Sequence, residues 1–537
     1  MRISKQLLTI FVVLFVVKVI ISFLIPMPNA FSDDYAYLQM AKNFHDFGIL
    51  EVNNASPFPP LYSILISPLY LLNDTELIYL LIKILNALIS SAIIFPIFLI
   101  AKDFLNDKEA IKTSILISLI PTVFVFTFYV MSENIFFLLF TLSILFLYKL
   151  LITDKKIFIL LAGFTIGLAY LSKILAASLF ILELILCLYF LFKKSYTKSL
   201  NLFLTGITTI LSITPYLVSN LLKYGFTISG LLGKYGIYGT IVGQQKNYFL
   251  LIYWMVLNLS FIFLATGLVY PISIFKFKDK NYKILLSFLI ITSIVLLFMA
   301  SELAIERPLE GRESRPIGRY LAAVYPLIIL LGSISLKNKI LSKKVYILAL
   351  ILLLISTQLL SYQLFPLNNM ELTHLGVLSY ILNLKISTFI SSTIIFLLLV
   401  LAFYILTKLD YNKLYYLFLI FFAFNIILNI AVIKYNINQN WYNDDANQLG
   451  LWFNRNIKDY KQVVLLDESD VYNNPINTIG GKPISDHDSL LIAAYWIRND
   501  IVISNVDQNY KYIFTTKNLN YPIIKQINDL KIYQKQL

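Results

Sequence analysis

The sequence predicts an α-helical polytopic membrane protein of about 13 transmembrane helices with a small extracytoplasmic α/β domain at its C-terminal end. Composition is the first observation: 58% of the 537 residues are hydrophobic and only 14% are charged. A soluble chain carries about a quarter charged residues, and the mean hydropathy here is +0.75. Next, apolar runs of about 20 residues recur along the chain, separated by short basic loops. Finally, from about residue 436 the composition shifts to Asn, Asp and Lys.

Apolar runs place spans near residues 7–25, 77–101, 110–130, 132–151, 157–171, 174–192, 199–222, 248–275, 283–301, 318–335, 345–365, 386–407 and 413–434. Arg2 and Lys5 precede the first run, and no small-residue cleavage site follows it, so it reads as an uncleaved membrane helix. With the N-terminus cytoplasmic, every second loop should be basic. The loops holding Lys102, Lys149, Lys193, Lys276, Lys337 and Lys408 all fall on that side. The net charge of +14 therefore belongs to topogenic loops and argues against nucleic-acid binding. The same alternation puts the C-terminal domain on the extracytoplasmic side. The single cysteine, Cys187, lies within an apolar run, which excludes a disulfide framework and a cysteine-based metal site.

Three stretches fall outside the membrane: a first outer loop at 26–76, an Arg- and Glu-dense stretch at 301–319 that would act as a lid over 302–316, and the tail. This divides the chain into a membrane domain, 1–435, and an α/β domain, 436–537. In the tail, residues 463–466 and 510–514 read as strands and 445–457 and 489–497 as helices. In the loop, Tyr37, Leu38, Ala41 and Phe44 recur at helical spacing with Gln39, Lys42, Asn43 and Asp46 opposite. That pattern predicts a helix lying on the membrane surface, stopped at Gly48. Phe58-Pro59-Pro60 breaks the chain before a second apolar piece, 61–72, too short to cross.

Asp33 and Asp34 stand side by side just beyond the first span, where carboxylates are costly unless used or solvated. One of the pair can serve as a general base while the other orients it, binds substrate or holds a cation. Helix capping is the alternative reading, with an acid satisfying free backbone N–H groups.

The loop resembles the GT-C membrane glycosyltransferases, in the protein O-mannosyltransferase and aminoarabinose-transferase-like branch. The matching residues are Asp33-Asp34-Tyr35-Ala36-Tyr37, then Pro59-Pro60-Leu61-Tyr62. Ser132-Glu133-Asn134, the run from Gly163 to Lys173, and Gly318-Arg319-Tyr320 before Tyr325-Pro326 follow in the same order. The resemblance is best over residues 1–190. It implies transfer of a sugar, with inversion, from a polyprenyl- or dolichyl-phosphate-linked donor to a lipid, glycan or protein acceptor on the outer face. By carry-over Asp33 is the base and Asp34 its supporting acid, with Glu133 a second acid, or else a helix cap with Ser132. Lys173, Arg319 and Arg315 are the candidate cations for the donor phosphate, and Tyr62 and Tyr320 complete the candidate substrate-binding set. Lys173 could instead snorkel to headgroups, and the arginines could pair with Glu306, Glu310 or Glu313. No cofactor is required by these residues, although a divalent cation could neutralise the phosphate. The aminoarabinose transferases have Lys-Pro-Pro where Phe58 stands here, which separates this chain from their phosphate contact and lipid A acceptor. The Trp-Trp-Asp signature of oligosaccharyltransferase catalytic subunits is absent too.

Two other classes compete: a transporter or flippase of a lipid-linked saccharide, and a non-catalytic membrane assembly protein. A transporter should show internal repeats with broken helices and acids at mid-span, whereas no repeat is evident and the candidate acids sit at helix ends. His45-Asp46 reads as a solvated surface pair and Asp486-His487-Asp488 as a turn, rather than as metal sites. Asn54-Ala55-Ser56 and Asn73-Asp74-Thr75 spell glycosylation sequons.

Overall fold

The computed structural model describes residues 5–25, 31–50, 58–227, 248–276, 279–306, 316–337, 343–359, 370–438, 445–457, 462–466, 495–498, 500–504 and 511–535. Its helices are α1 Lys5–Ser22, α2 Phe31–Phe47, α3 Leu61–Ile66, α4 Thr75–Ser91, α5 Ile94–Ala101, α6 Asp107–Ser118, α7 Pro121–Val125, α8 Glu133–Thr153, α9 Ile157–Ser172, α10 Ala177–Phe192 and α11 Tyr196–Tyr224. They continue with α12 Tyr248–Ala265, α13 Val269–Ser273, α14 Lys280–Glu306, α15 Gly318–Leu321, α16 Tyr325–Lys337, α17 Lys343–Leu359, α18 Thr373–Asn383, α19 Thr388–Lys408, α20 Tyr411–Ile437 and α21 Asp445–Asn456.

Among the described residues, ten helices are long and apolar enough to cross a membrane, or eleven if one bent pair counts as a span. The bent pair is α6 with the segment 121–128, at 66°, where the sequence reads as one uninterrupted run. Pro121 accounts for the bend, because the residue before a proline is pushed out of the helical region and Ile120 is extended at ψ 126. The predicted span 248–275 is also broken. Gly267 and Leu268 both take positive φ, at 79 and 59, and a Cβ on Gly267 would stand 2.1 Å from the Phe418 ring. Helix α9 is 16 residues long, short for a span, and α18 has no counterpart in the hydropathy reading.

The chain divides into two compact units. The larger comprises residues 1–16, 88–126 and 132–430. Its packing depends on small residues, as expected where lipid supplies no hydrophobic drive between helices. Gly163 and Gly167 on α9 face α11 so closely that a Cβ on Gly163 would lie 2.7 Å from the Thr205 carbonyl oxygen. Of residues 318–337, spanning α15 and α16, all but Arg319 and Lys337 are buried.

The smaller unit comprises residues 17–87, 127–131 and 431–537. It contains a five-stranded sheet: β1 Gln462–Leu466, β2 Asp500–Ser504, β3 Tyr512–Thr515, β4 Ile523–Ile527 and β5 Leu530–Gln534. The order is β2-β1-β3-β5-β4, with β1 parallel to both β2 and β3 and β5 antiparallel to β3 and β4. Helix α21 lays Phe453 against Tyr512 and Phe514 of β3, with ring centroids 5.3 and 5.1 Å apart. The expected helix 445–457 and strand 463–466 are therefore present, and the strand at 510–514 is described from Tyr512. Of the expected helix 489–497 only Tyr495, Trp496 and Ile497 are described, and they are not helical.

Candidate active site

In the smaller unit the candidate acids open α2, with Asp33 and Asp34 both in its first turn, where the helix dipole favours negative charge. Asp34 is fully buried and Asp33 is half-buried. The helix ends where expected: Gly48 has φ +71, and its N–H donates to the Phe44 carbonyl at 3.0 Å. On its polar face, however, Lys42 is buried, at 3% exposed. Asp46, read from the sequence as part of a solvated pair with His45, is held by Arg498 as well. Burial opposes the Asp46 charge, but the hydrogen bonds from Arg498 and His45 outweigh it and hold the carboxyl below its ordinary range.

The lead-in to α2 is anchored by Lys83 on α4. Its Nζ donates to the carbonyl oxygens of Ser22 and Ile25 at 2.7 and 2.6 Å, satisfying acceptors left over at the end of α1. Tyr62 is fully buried. Its hydroxyl donates to Asn86 Oδ1 at 3.0 Å, and Asn86 Nδ2 donates to the Tyr129 carbonyl at 2.9 Å. The Tyr62 ring meets Tyr37 of α2 edge-on at 5.4 Å, and Tyr37 also leans on Phe58 at 5.0 Å. Phe58, the position that departs from the aminoarabinose transferases, is thus a packing residue. Ser63 Oγ adds a bond to the Tyr37 carbonyl at 3.0 Å, so the Pro-Pro-Leu-Tyr element braces α2.

In the larger unit four of the sequence candidates come together. Glu133 opens α8, Lys173 ends α9 in an extended conformation, and Arg319 and Tyr320 lie on α15. Lys173 Nζ donates to Glu133 Oε1, with the two side chains only 6% and 2% exposed. Arg319 Nη1 lies 4.0 Å from the same carboxylate oxygen, and its side chain is 36% exposed. The Tyr320 ring is flanked by both cations, Lys173 Nζ at 5.3 Å and Arg319 Cζ at 5.8 Å from its centroid. Ser132 makes no side-chain capping bond, so Glu133 and Ser132 do not form the cap weighed from the sequence. Lys173 likewise does not snorkel; it is buried against an acid.

Helix α15 is pinned where it begins. A Cβ on Gly318 would stand 2.6 Å from Phe261 Cζ and 2.9 Å from Glu371 Oε2, so a side chain beside Arg319 would have to displace both. Glu371, 4% exposed, was not singled out from the sequence, nor were Lys83, Asn86 and Arg498. A buried acid or lysine flanked by apolar runs was the available signal for the first two. Arg315, the stretch 307–315 and Asp486-His487-Asp488 lie outside the described residues. Among the described residues no three His, Cys, Asp or Glu side chains are grouped to hold a metal ion.

A family model described as dolichyl-phosphate-mannose-protein mannosyltransferase matches residues 58–218. The fold matches the crystal structure of ArnT from Cupriavidus metallidurans bound to undecaprenyl phosphate, with a TM-score of 0.59 and 12% identity over 99% of this chain and 98% of that one. This chain has the GT-C fold. The apo state of the same ArnT matches with a TM-score of 0.54 and 14% identity, covering 98% of both chains. No curated protein matches the sequence. The family-model match contains Tyr62, Glu133 and Lys173, and the GT-C resemblance read from the loop motifs is borne out by the matches. The multi-pass membrane reading is borne out as well.

Proposed function

We propose that this GT-C protein is an inverting glycosyltransferase that uses a polyprenyl- or dolichyl-phosphate-linked sugar and acts on the extracytoplasmic face of the membrane. Its acceptor is the hydroxyl of a lipid, glycan or protein. The observation that carries this reading is the convergence of Lys173 and Arg319 on one carboxylate oxygen of Glu133, beside Tyr320. Two cations gathered on a mostly apolar scaffold suit a phosphate headgroup attached to a lipid tail. The fold is shared with a protein whose crystal structure holds undecaprenyl phosphate.

Chemically, Asp33 accepts the proton of the acceptor hydroxyl as its oxygen bonds to the anomeric carbon. The bond from that carbon to the donor phosphate oxygen breaks on the opposite side, and lipid phosphate departs. Lys173 and Arg319 stabilise the charge that develops on it. Asp34, fully buried next to Asp33 in the chain, holds the base in place. One displacement at one carbon gives inversion, whereas retention would need a nucleophilic carboxylate and a second step.

The test is release of lipid phosphate by the purified full-length protein, supplied with a panel of polyprenyl-phosphate monosaccharides and a membrane-extract acceptor. Turnover of at least one donor is expected. Arg319→Gln and Lys173→Gln should lower it by about 10²-fold or more. Full turnover in both variants would remove the phosphate role from this cluster. No turnover of any donor by wild type would favour the transporter or assembly readings.

A further inference from the structure

Arg498, in the tail, is bonded to two separate pieces of the first loop. Its Nη1 and Nη2 donate to Asp46 Oδ2 and Oδ1 at 3.0 and 3.1 Å, a two-pronged pair with the last turn of α2. Its Nε donates to the Leu72 carbonyl at 3.2 Å and its Nη2 also reaches the Tyr70 carbonyl. The guanidinium carbon stands 5.2 Å from the centroid of the Tyr70 ring. One planar cation, 8% exposed, thus joins the end of α2 to the turn after α3. A lysine could not make this set of bonds, because its ammonium offers no planar fork.

The same short stretch meets the start of α2. The Tyr495 ring lies edge-on to Tyr35 at 5.3 Å, and Tyr35 directly follows Asp34. Trp496 accepts a bond from Thr75 Oγ1 through its carbonyl at 3.0 Å, and the Tyr495 carbonyl accepts one from Tyr79. Residues 495–498 therefore touch α2 near its start and in its last turn, which restrains both its rotation and its slide along the axis.

We propose that Arg498 is a positioning residue for the transfer reaction: by tying Asp46 to the turn after α3 it fixes α2 and so the place of the Asp33 carboxylate. The α/β domain is then part of the reaction machinery, although it contributes no group to the chemistry. This rests on the reading of Asp33 as base. The exposed pair of Arg455 with Glu76, bonded twice at 2.7 Å, supplies the comparison. It joins the same domain to α4.

The experiment uses the full-length protein in lipid nanodiscs and reads kcat, donor KM and amide hydrogen exchange over residues 35–47. Arg498→Met should lower kcat by about 10²-fold, the effect of a base misplaced by about 1 Å. Donor KM should stay within about three-fold, because the phosphate cations are untouched. Exchange over α2 should rise. Arg498→Lys should fall between wild type and Arg498→Met, and Arg455→Met should change neither readout. Should Arg498→Met fail to fold, Asp46→Asn loosens the same joint while leaving the bonds to Tyr70 and Leu72, and should move both readouts the same way. Unchanged exchange over α2, full rescue by lysine, or raised exchange with unchanged kcat would each overturn the proposal. Because the exchange readout does not depend on catalysis, full activity of Asp33→Asn would refute the base and still leave the clamp to be judged.

Discussion

Replacing Lys173 by methionine is the sharpest perturbation of the Glu133 cluster. It removes the ammonium and leaves a carboxylate whose side chain is 2% exposed, with Arg319 4.0 Å away. Losing one partner of a buried ion pair costs about 3–5 kcal/mol, because the remaining charge stays out of water. Attraction from Arg319 offsets part of this, so the lower end, about 3 kcal/mol, is expected. Glu133→Gln should cost a similar amount. The double variant, Glu133→Gln with Lys173→Met, leaves no stranded charge pair and should be more stable than the sum of the singles by about 2–3 kcal/mol. Unfolding of detergent-solubilised protein, followed by tryptophan fluorescence across an SDS titration, would measure all four corners of the cycle. The double variant should regain stability and stay inactive, since a cation proposed for the leaving phosphate is gone. Additive single effects, with coupling below about 0.5 kcal/mol, would refute the pairing and the reasoning built on it.

Three further outcomes follow from the geometry. Asn86→Leu removes the bonds that Asn86 makes with the Tyr62 hydroxyl and the Tyr129 carbonyl, and should destabilise the protein by about 1–3 kcal/mol in the same unfolding assay. Gly332→Ala should cost about 1–3 kcal/mol, because the new Cβ would meet Tyr270 Cβ and Cα at 2.8 and 2.9 Å and these cannot swing aside. Asp46 is held below its ordinary value of 3.8. A depressed carboxylate contributes stability that is complete above the unfolded value and lost as pH falls through the folded one. Raised exchange over α2 should therefore appear only below about pH 3.8, and Asp46→Asn should show the loosened state at neutral pH.

Hydropathy made most of the membrane helices legible, because a span is a composition before it is a structure. The breaks were less legible. Pro121 is visible in sequence, but its effect depends on whether neighbouring helices tolerate a kink, and the ring that leaves no room for a side chain at Gly267 belongs to Phe418, 151 positions further on. Within the site, Glu133, Lys173, Arg319 and Tyr320 were readable as individual candidates, and the resemblance supplied their order. Their meeting on one carboxylate oxygen was not readable, since it depends on the packing of α8, α9 and α15. Arg498 escaped entirely: an arginine in a polar tail looks solvated until Asp46, 452 residues earlier, is seen against it. In α2 the helical spacing and the stop at Gly48 were right, but Lys42, on the face that pattern assigns to water, is buried.

The central claim is that Asp33 is the base of a transfer from a lipid-phosphate sugar. A strain lacking this protein, complemented with wild type, Asp33→Asn or Asp34→Asn at matched membrane levels, tests it through mass spectrometry of surface glycoconjugates. Loss of one sugar with Asp33→Asn, from a stably inserted protein, is the result predicted, with a smaller deficit for Asp34→Asn. An unaltered glycan profile from Asp33→Asn would contradict the account and return the acidic pair to a role in holding the first turn of α2.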